Sequence, residues 1–580
     1  MTLEEQKKRK QDLGQFFTPR EVVEFIFDVL KIQLDSEEKW KKGKHPSIID
    51  PACGEGIFLK VALGKKVTLP KYVFGVDLDE RVKEKWEKIT LLREFGLRAN
   101  LDLHFYHQNG LLPLPEKTLR YKHGGLNKYD LVDVNPPYGG IGIGEDIEAK
   151  PLKDTLLERY DIWRIDSNGS TKGVERELFT DVSTKKIDSY KDKLQKFSIE
   201  ILFLERFIQL TKPGGHIAII IPDGILSNSN LHYVRKFIAE RVKVNAIVSL
   251  PRDTFKSTGT SAKTSILFMS KPKKDEKLTN DYRVFLASVE DLNNLANVYE
   301  YYKGVNQMNS TNKDLVKVIN GPDGKEVAMV RVDKTLKEMM EESPSSRWSP
   351  AYWHPKYERL FYDLATKKLG KFIVDIQGGG GGSHFSDFLG DQWDPKGKFA
   401  KYLHVGSIME TGVDWPAAKY IDKQTYERLE TKQLHINDIL LSNKGTVGKS
   451  VVIVNDYGRI VVGDTRVIRV NNISPYFVCA YFKSNFGQLL NERYKSGVAS
   501  EGTTVEQLNN FEIPLIYEAI QKNIESEYKK MSVFHDKAME VKSRGDEAGY
   551  KKNIEIAENM LKDLIVRTEA VIRGEREGVV

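Results

Sequence analysis

Cysteine is nearly absent: the 580 residues hold Cys53 and Cys479 and no others. Two cysteines so far apart exclude a disulfide framework and supply no zinc motif, so no metal is expected. Long apolar runs are missing as well. No stretch reads as a membrane-spanning helix, and Met1–Gln11 is charged, without the apolar core of a secretory signal. A cytoplasmic protein with no membrane partner is expected. Nor is there a strong excess of one charge. Eighty-nine Lys and Arg against 82 Asp and Glu leave a net charge of +7, which permits a nucleic-acid partner without demanding one. Lys7-Lys-Arg-Lys10 reads either as an arm touching nucleic acid or as a solvated tail.

What is present is ordinary globular composition, 40% hydrophobic and 29% charged, at a length that suggests roughly three or four domains. Gly14-Gln-Phe-Phe-Thr-Pro-Arg20 leads into Glu21–Leu30, whose apolar spacing predicts an amphipathic helix. Thr18 is expected as its N-cap and Pro19 at its first position. Such a helix N-terminus offers amides and positive dipole to a carboxylate. Ser47–Lys60 then reads as strand, glycine turn and helix, with Gly54 and Gly56 in the turn. That is the nucleotide-binding half of a doubly wound sheet. The third glycine of a dinucleotide fingerprint is missing, as is any Gly-Lys-Ser/Thr, so neither NAD nor a nucleoside triphosphate is favoured.

Further strands are expected at Tyr72–Asp79, Leu101–Gln108, Tyr129–Val134, Gly215–Pro222, Val244–Leu250 and Lys263–Met269, with a helix over Ser198–Leu210. Asp77 ends the second strand, where an acid can bind ribose hydroxyls, with Asp79 as the other candidate. Asn109-Gly110 ends the third and can meet an adenine edge. The fourth ends in Asn135-Pro136-Pro137-Tyr138. Two prolines cannot donate to a ladder, so the strand stops there. The loop they begin is stiff and presents one amide, carbonyls and one aromatic ring. Those groups suit a flat base bearing an exocyclic amine, and they equally suit a plain strand exit. A long polar insertion, 139–196, comes next and is expected to be a lid or a DNA-contacting segment.

From 275 to 343 the pattern loosens, suggesting a small extension and a link, and Glu341–Arg347 reads as a domain boundary. The remainder is β-rich: Leu369–Gln377, the run Gly378–Gly382, two strands around Asn443–Gly448, and Ile460–Val470. Ala519–Arg573 reads as a hairpin of long helices about Arg544-Gly-Asp546.

Gly14–Arg20, Asp50-Pro-Ala-Cys-Gly-Glu-Gly56 and Asn135–Tyr138, in that order, resemble the amino-terminal, glycine-rich and catalytic motifs of gamma-group N6-adenine DNA methyltransferases. The closest likeness is to modification subunits of type I restriction–modification systems and to type IIG enzymes. The C-terminal half looks like one target-recognition domain of a type I specificity subunit with its spacer helices.

The resemblance implies an α/β fold: a Rossmann-like domain at 1–275 with a mostly parallel seven-stranded sheet, an extension at 276–344, an α+β target-recognition domain at 345–518, and helices at 519–580. It implies S-adenosylmethionine as cofactor. Gln15, Phe17, Thr18 and Pro19 would hold its carboxylate. Asp50 with Ala52, Cys53, Gly54 and Gly56 would hold the amino-acid end, Asp77 the ribose, and Asn109 and Gly110 the adenine. Asn109 stands where the family commonly has an aspartate. Asn135, Pro136, Pro137 and Tyr138 would act on a flipped-out adenine in double-stranded DNA. A separate restriction subunit is an implied partner, since no nuclease motif is visible. The helices leave open a monomer or a homodimer paired through them. Competing readings are a protein (glutamine) or RNA methyltransferase, a non-catalytic DNA-binding protein, and a bifunctional restriction–methylation enzyme.

Overall fold

Ile48-Ile49, Val73–Val76 and Leu131-Val132 are apolar on successive positions, the composition of strands covered by helices on both faces. In the computed structural model they form the middle of a large sheet. The structure describes residues 18–34, 43–82, 86, 104–114, 126–138, 150–165, 197–258, 262–307, 315–361, 364–377, 398–429, 433–442, 449–463, 465–494 and 504–579. The chain divides into two compact units, Met1–Trp353 and His354–Val580.

The first unit begins with α1 (Arg20–Gln33), then β1 (Ile48–Asp50), α2 (Ile57–Gly64), β2 (Val73–Asp77), β3 (Phe105–His107) and β4 (Tyr129–Val134). After α3 (Lys150–Arg159) come α4 (Ile199–Leu210), β5 (Thr211–Pro222), α5 (His232–Ala239), β6 (Lys243–Ser249) and β7 (Thr264–Ser270). It continues with β8 (Phe285–Val289), α6 (Leu295–Gln307), β9 (Val316–Asn320) and β10 (Glu326–Arg331). All ten strands join one sheet in the order β3-β2-β1-β4-β5-β7-β6-β8-β10-β9. Strands β3, β2, β1, β4 and β5 run parallel, and β7 runs antiparallel to both its neighbours. The chain starts at β1, works outward to β3, then returns to β4. The sheet therefore has its topological switch point between β1 and β4, where ligands bind in open α/β sheets.

Two expectations need correction. The sheet has ten strands, not seven. The stretch read as an extension and link supplies the other three. Phe285–Val289 is buried at every position, and α6 packs on α1 through the same apolar cluster, with Gln33 Nε2 donating to the Tyr302 hydroxyl at 2.9 Å. Helix α1 also begins one residue later than expected. Pro19, not Thr18, is the N-cap, and its carbonyl accepts from Val22 and Val23 at 3.2 and 3.3 Å. The Thr18 hydroxyl is engaged elsewhere, as described below.

The first unit extends through Trp353 for a local reason. Arg235 is fully buried, and its guanidinium donates to the carbonyls of Ser346 (2.7 Å), Ser345 (2.5 Å) and Ile225 (2.6 Å). Burial, chiefly, and the nearby Arg347 hold it down at about 9. The Trp348 amide donates to the Leu226 carbonyl at 2.8 Å. These bonds fix 345–348 against the unit's own core.

The second unit holds β11 (Thr366–Lys368), β12 (Ile373–Gln377), β13 (Ala400–Leu403), β14 (Lys419–Ile421), β15 (Ile439–Ser442), β16 (Ser450–Val452), β17 (Ile460–Val462), β18 (Thr465–Val470) and β19 (Glu512–Pro514). They form sheets of four (β12-β18-β15-β16), three (β14-β13-β17) and two strands (β11-β19). Helix α7 (Pro475–Lys483) is buried along most of its length. A hairpin of long helices, α8 (Glu518–Ser543) and α9 (Glu547–Ile572), completes the unit. The turn between them uses Gly545 at φ 80°, and the Asp546 side chain caps α9 by accepting from Gly549 N at 2.8 Å. His535 of α8 is buried between Thr411 Oγ1 (2.8 Å from Nδ1) and the Val413 carbonyl (3.0 Å from Nε2). The carbonyl can only accept, so Nε2 carries the proton and Nδ1 accepts from the threonine.

Candidate active site

The turn after β1 is a small hydrogen-bonded cage. Asp50 Oδ1 accepts from Ala52 N at 3.0 Å. Cys53 N donates across to Val76 O at 2.9 Å, and Gly54 N to Asp77 Oδ2 at 2.7 Å. The other Asp77 oxygen accepts from Asp79 N at 2.8 Å. Trp86 Nε1 closes the cage from outside by donating to Gly54 O at 2.8 Å. Gly54 (φ 48°) and Gly56 (φ 76°) take left-handed backbone, which a side chain disfavours. Gly56 then caps α2.

Burial sets the electrostatics here. Asp50 is pushed well above the usual carboxylate range, chiefly by burial, with the Ala52 amide lowering it and Asp77 adding to the rise. Asp77 is raised by burial, against the Asp79 and Gly54 amides. The Cys53 thiol is pushed up by burial and then by Asp50 and Asp77, so it is an inert packing group rather than a nucleophile. Asp79 is tied to Arg81 by two contacts, at 2.9 and 2.6 Å.

Asn109 forms a side-chain turn, its Oδ1 accepting from Leu111 N at 3.0 Å. Gly110 lies against the first loop: a Cβ there would sit 1.9 Å from Pro51 O. The requirement for glycine is thus the close approach of two loops. Gly75, in the middle of β2, is similarly confined, since a Cβ would meet Cys53 Sγ and Phe105 at 2.8 Å.

At the end of β4, Asn135 is half-buried and held at both ends of its amide. Its Nδ2 donates to Thr18 Oγ1 at 3.0 Å, and its Oδ1 accepts from the Tyr138 hydroxyl. Tyr138 also reaches Ile220 O at 3.1 Å. Its ring is 6% exposed and packs in the apolar cluster rather than lining an open crevice. Its hydroxyl is pushed up by burial and, second, by Glu200 of α4. Pro136 is buried and Pro137 half-buried.

The structure therefore brings Thr18, Pro19, the Asp50–Gly56 turn, Asp77, Asn109-Gly110 and Asn135–Tyr138 to one edge of the sheet, around the switch point. Gln15 and Phe17 lie outside the described residues, as do Gly378–Gly382 and Asn443–Gly448. Sequence reasoning missed three features: Trp86, the Thr18–Asn135 bond, and Asp133, a fully buried acid inside β4. An acid set between two valines, Val132 and Val134, was the one visible signal.

Part of the insertion is described, and it is anchored. Glu205 of α4 accepts from the Asp161 and Ile162 amides at 2.8 to 2.9 Å. Trp163 is fully buried and donates to Leu156 O at 2.9 Å. The Tyr160 hydroxyl donates to Leu111 O at 2.7 Å, and Arg206 to Gly110 O at 3.0 Å. Segment 150–165 thus buttresses the Asn109–Leu112 loop from behind. Among the described residues no helix is long and apolar enough to cross a membrane.

Comparison with known proteins bears on this edge of the sheet. The family model described as N-6 DNA Methylase matches residues 2–155 and 177–316. The methylase subunit of the type I restriction enzyme EcoEI from Escherichia coli is 26% identical over 270 residues, covering 44% of this chain and 42% of that one. The EcoKI methylase subunit from E. coli strain K12 is 23% identical over 287 residues, 48% of this chain and 45% of that one. The matches thus span less than half the length of those relatives. Among solved structures, the type IIG restriction endonuclease BpuSI aligns over 95% of this chain and 66% of its own, at 14% identity and a TM-score of 0.45.

Proposed function

The chain belongs to the N-6 DNA methylase family, and from that premise we propose that it is a site-specific DNA methyltransferase acting on the N6 amine of adenine with S-adenosylmethionine. The observation that carries this reading is the meeting of Asn135 and the Asp50–Gly56 turn at the switch point between β1 and β4.

The residues present fit that cofactor. Asp50 Oδ2 is buried with no hydrogen-bond partner and awaits a donor, and the glycine turn leaves room for a ligand's close approach. Asp50 and Ala52–Gly56 would hold the amino-acid end, Asp77 the ribose, and Asn109-Gly110 the adenine. Thr18 and Pro19, with Gln15 and Phe17, would hold the carboxylate near the N-terminus of α1. When bound, the cofactor supplies a methyl group already activated by its positive sulfur.

The chain's own task is to make a poor nucleophile reactive. The N6 lone pair of adenine is delocalised into the ring. Two acceptors on the amine hydrogens, the Asn135 amide oxygen and the Pro136 carbonyl, draw the nitrogen toward a tetrahedral form and localise the pair. The amide oxygen is now occupied by Tyr138, so the entering base displaces that hydroxyl, and the freed ring turns out to cover the base. Thr18 holds the other end of the amide and fixes its orientation. The rest is positioning. The target atom is inaccessible in a duplex, so the adenine is flipped out.

The second unit acts as the target-recognition domain on double-stranded DNA, with α8 and α9 as spacer or dimerisation helices. Relatives named as methylase subunits of type I restriction enzymes support a place in a restriction–modification system, with cleavage left to a separate subunit. Asn135→Ala tests the site: it is expected to abolish methyl transfer while leaving DNA binding intact. Transfer near the wild-type rate in a radiolabelled-methyl assay would contradict the role given to Asn135.

A further inference from the structure

Three carboxylate oxygens are buried without a hydrogen-bond partner at the carboxyl ends of β1 and β4: Oδ2 of Asp50 and both oxygens of Asp133. Asp133 is fully buried and Asp50 is 1% exposed. Register places them together. Ile49 pairs with Val132 across the two parallel strands, so the next residues, Asp50 and Asp133, are neighbours on one face. On its other side Asp133 pairs with Ala218 of β5. Ile48, Leu131 and Ala218 of that face belong to the cluster formed with α1 and α2.

An acid in such a place is costly in either form. Ionised, it is an unpaired buried charge. Neutral, it donates once and leaves acceptors unmet. The position would hold an aliphatic residue at no cost, so the acid is explained by something that binds. Burial raises Asp133 well above the carboxylate range and Asp50 raises it further. The Val134 amide pulls slightly the other way, at a geometry short of a hydrogen bond. The remaining titratable groups about the pair are Asp77 on β2 and the Cys53 thiol in the turn. Ala218 on the β5 side and the residues α1 brings to the cluster, Val22, Phe25 and Ile26 among them, carry no charge.

We propose that Asp133 is a cofactor-positioning residue that forms, with Asp50, a paired-carboxylate seat for the α-ammonium group of S-adenosylmethionine, and that a proton leaves the pair as the cofactor binds. The inference rests on reading the chain as an S-adenosylmethionine-dependent methyltransferase. An ammonium has three N–H donors and no acceptor, which matches three orphaned oxygens. The balance is simple. One carboxylic O–H breaks, its proton passes to the buffer, and the ammonium keeps all three of its own. Before binding, a proton held on one of the two acids relieves the repulsion between them. Afterwards the cation does so.

Titration calorimetry of the full chain with S-adenosylmethionine, in two buffers of different ionisation enthalpy, counts the protons. The range from about pH 5.5 to 7 lies below that in which the cofactor's amino group titrates. There, about one proton is expected to be released, and Kd to tighten by up to about tenfold per pH unit. S-adenosylhomocysteine, which keeps the ammonium and lacks the positive sulfur, is expected to release the same proton. Asp133→Asn, a neutral near-isostere, is expected to abolish the release and flatten the pH dependence. Buffer-independent heat with a flat Kd in the wild type overturns the proposal, as does unchanged release in Asp133→Asn. Should that variant not fold, the wild-type proton count decides alone. Complete failure of S-adenosylmethionine to bind would instead overturn the methyltransferase reading itself.

Discussion

Asn135 Nδ2 donates to Thr18 Oγ1 at 3.0 Å across 117 residues of sequence. The bond ties the entry to α1 to the loop after β4. It leaves the amide oxygen as the end that faces Tyr138, and on the proposed mechanism that oxygen must accept from the base. Thr18→Val keeps the shape and removes the acceptor. Removing one partner of a hydrogen bond in such a site costs about 1–3 kcal/mol. If that cost appears in the transition state, kcat drops by roughly tenfold or more, while DNA affinity is unchanged. Rapid-quench methyl transfer measures it.

The two confined glycines order themselves by what they touch. In Gly110→Ala the new Cβ would sit 1.9 Å from Pro51 O, a backbone atom that cannot turn aside. In Gly75→Ala it meets the Cys53 and Phe105 side chains at 2.8 Å. Overpacking of the second kind costs about 1–3 kcal/mol. Gly110→Ala is therefore expected to lower the thermal midpoint more, and to weaken cofactor binding by distorting the turn after Asp50. Differential scanning fluorimetry with and without S-adenosylmethionine separates the two effects.

Glu205 clamps segment 161–162 to α4, and burial pushes it up to about 7 against the amides of Ile162 and Asp161. Its folded pKa is above its unfolded value, so the folded state holds the proton more tightly. Its contribution to stability is full below the unfolded carboxylate range, about pH 4.3, and is lost as pH rises through about 7. Glu205→Gln removes that slope. Denaturant midpoints at pH 5.5 and 8 are expected to differ less in the variant than in the wild type.

His535 works in the opposite sense. Burial lowers its pKa, with the Val413 carbonyl and then Asp536 and Asp414 opposing. The unfolded chain binds the proton more readily, so stability is full above about pH 6.5 and falls as pH drops through the folded value. Protection factors of the α8 amides, measured against the intrinsic exchange rate at each pH, should therefore fall in mild acid. A Cβ on Gly412 would strike the His535 ring at 2.4 Å. Gly412→Ala is expected to destabilise the wild type and to be better tolerated in His535→Ala. Strict additivity of the two changes would contradict the contact.

The core of this arrangement was legible because it is local. Asp50-Pro-Ala-Cys-Gly-Glu-Gly56 carries its turn in its own glycines, and Pro136-Pro137 end β4 by chemistry alone. The long helices announced themselves by length and by the Gly545-Asp546 turn. The features that escaped depend on distant partners. Trp86 holds the Gly54 carbonyl from 32 residues away. Thr18 looked like a helix cap because nothing in its neighbourhood points to Asn135. The residues of β8 were read as a small extension outside the sheet, and β9 and β10 were missed because β9 is half-exposed and β10 irregular in register, which blurs the alternation on which strand reading depends. Asp133 passed as one polar residue in an apolar run, since only the register of β1 and β4 sets it beside Asp50.

Methyl transfer to adenine N6 is the property on which the roles given to Asn135, Thr18 and Asp133 all depend. The direct measurement is mass spectrometry of nucleosides from duplex DNA incubated with the purified chain and S-adenosylmethionine labelled in its methyl group. Labelled N6-methyladenine, lost in Asn135→Ala, is the result expected. Label in cytosine, or none in the adenine of that DNA, would contradict it.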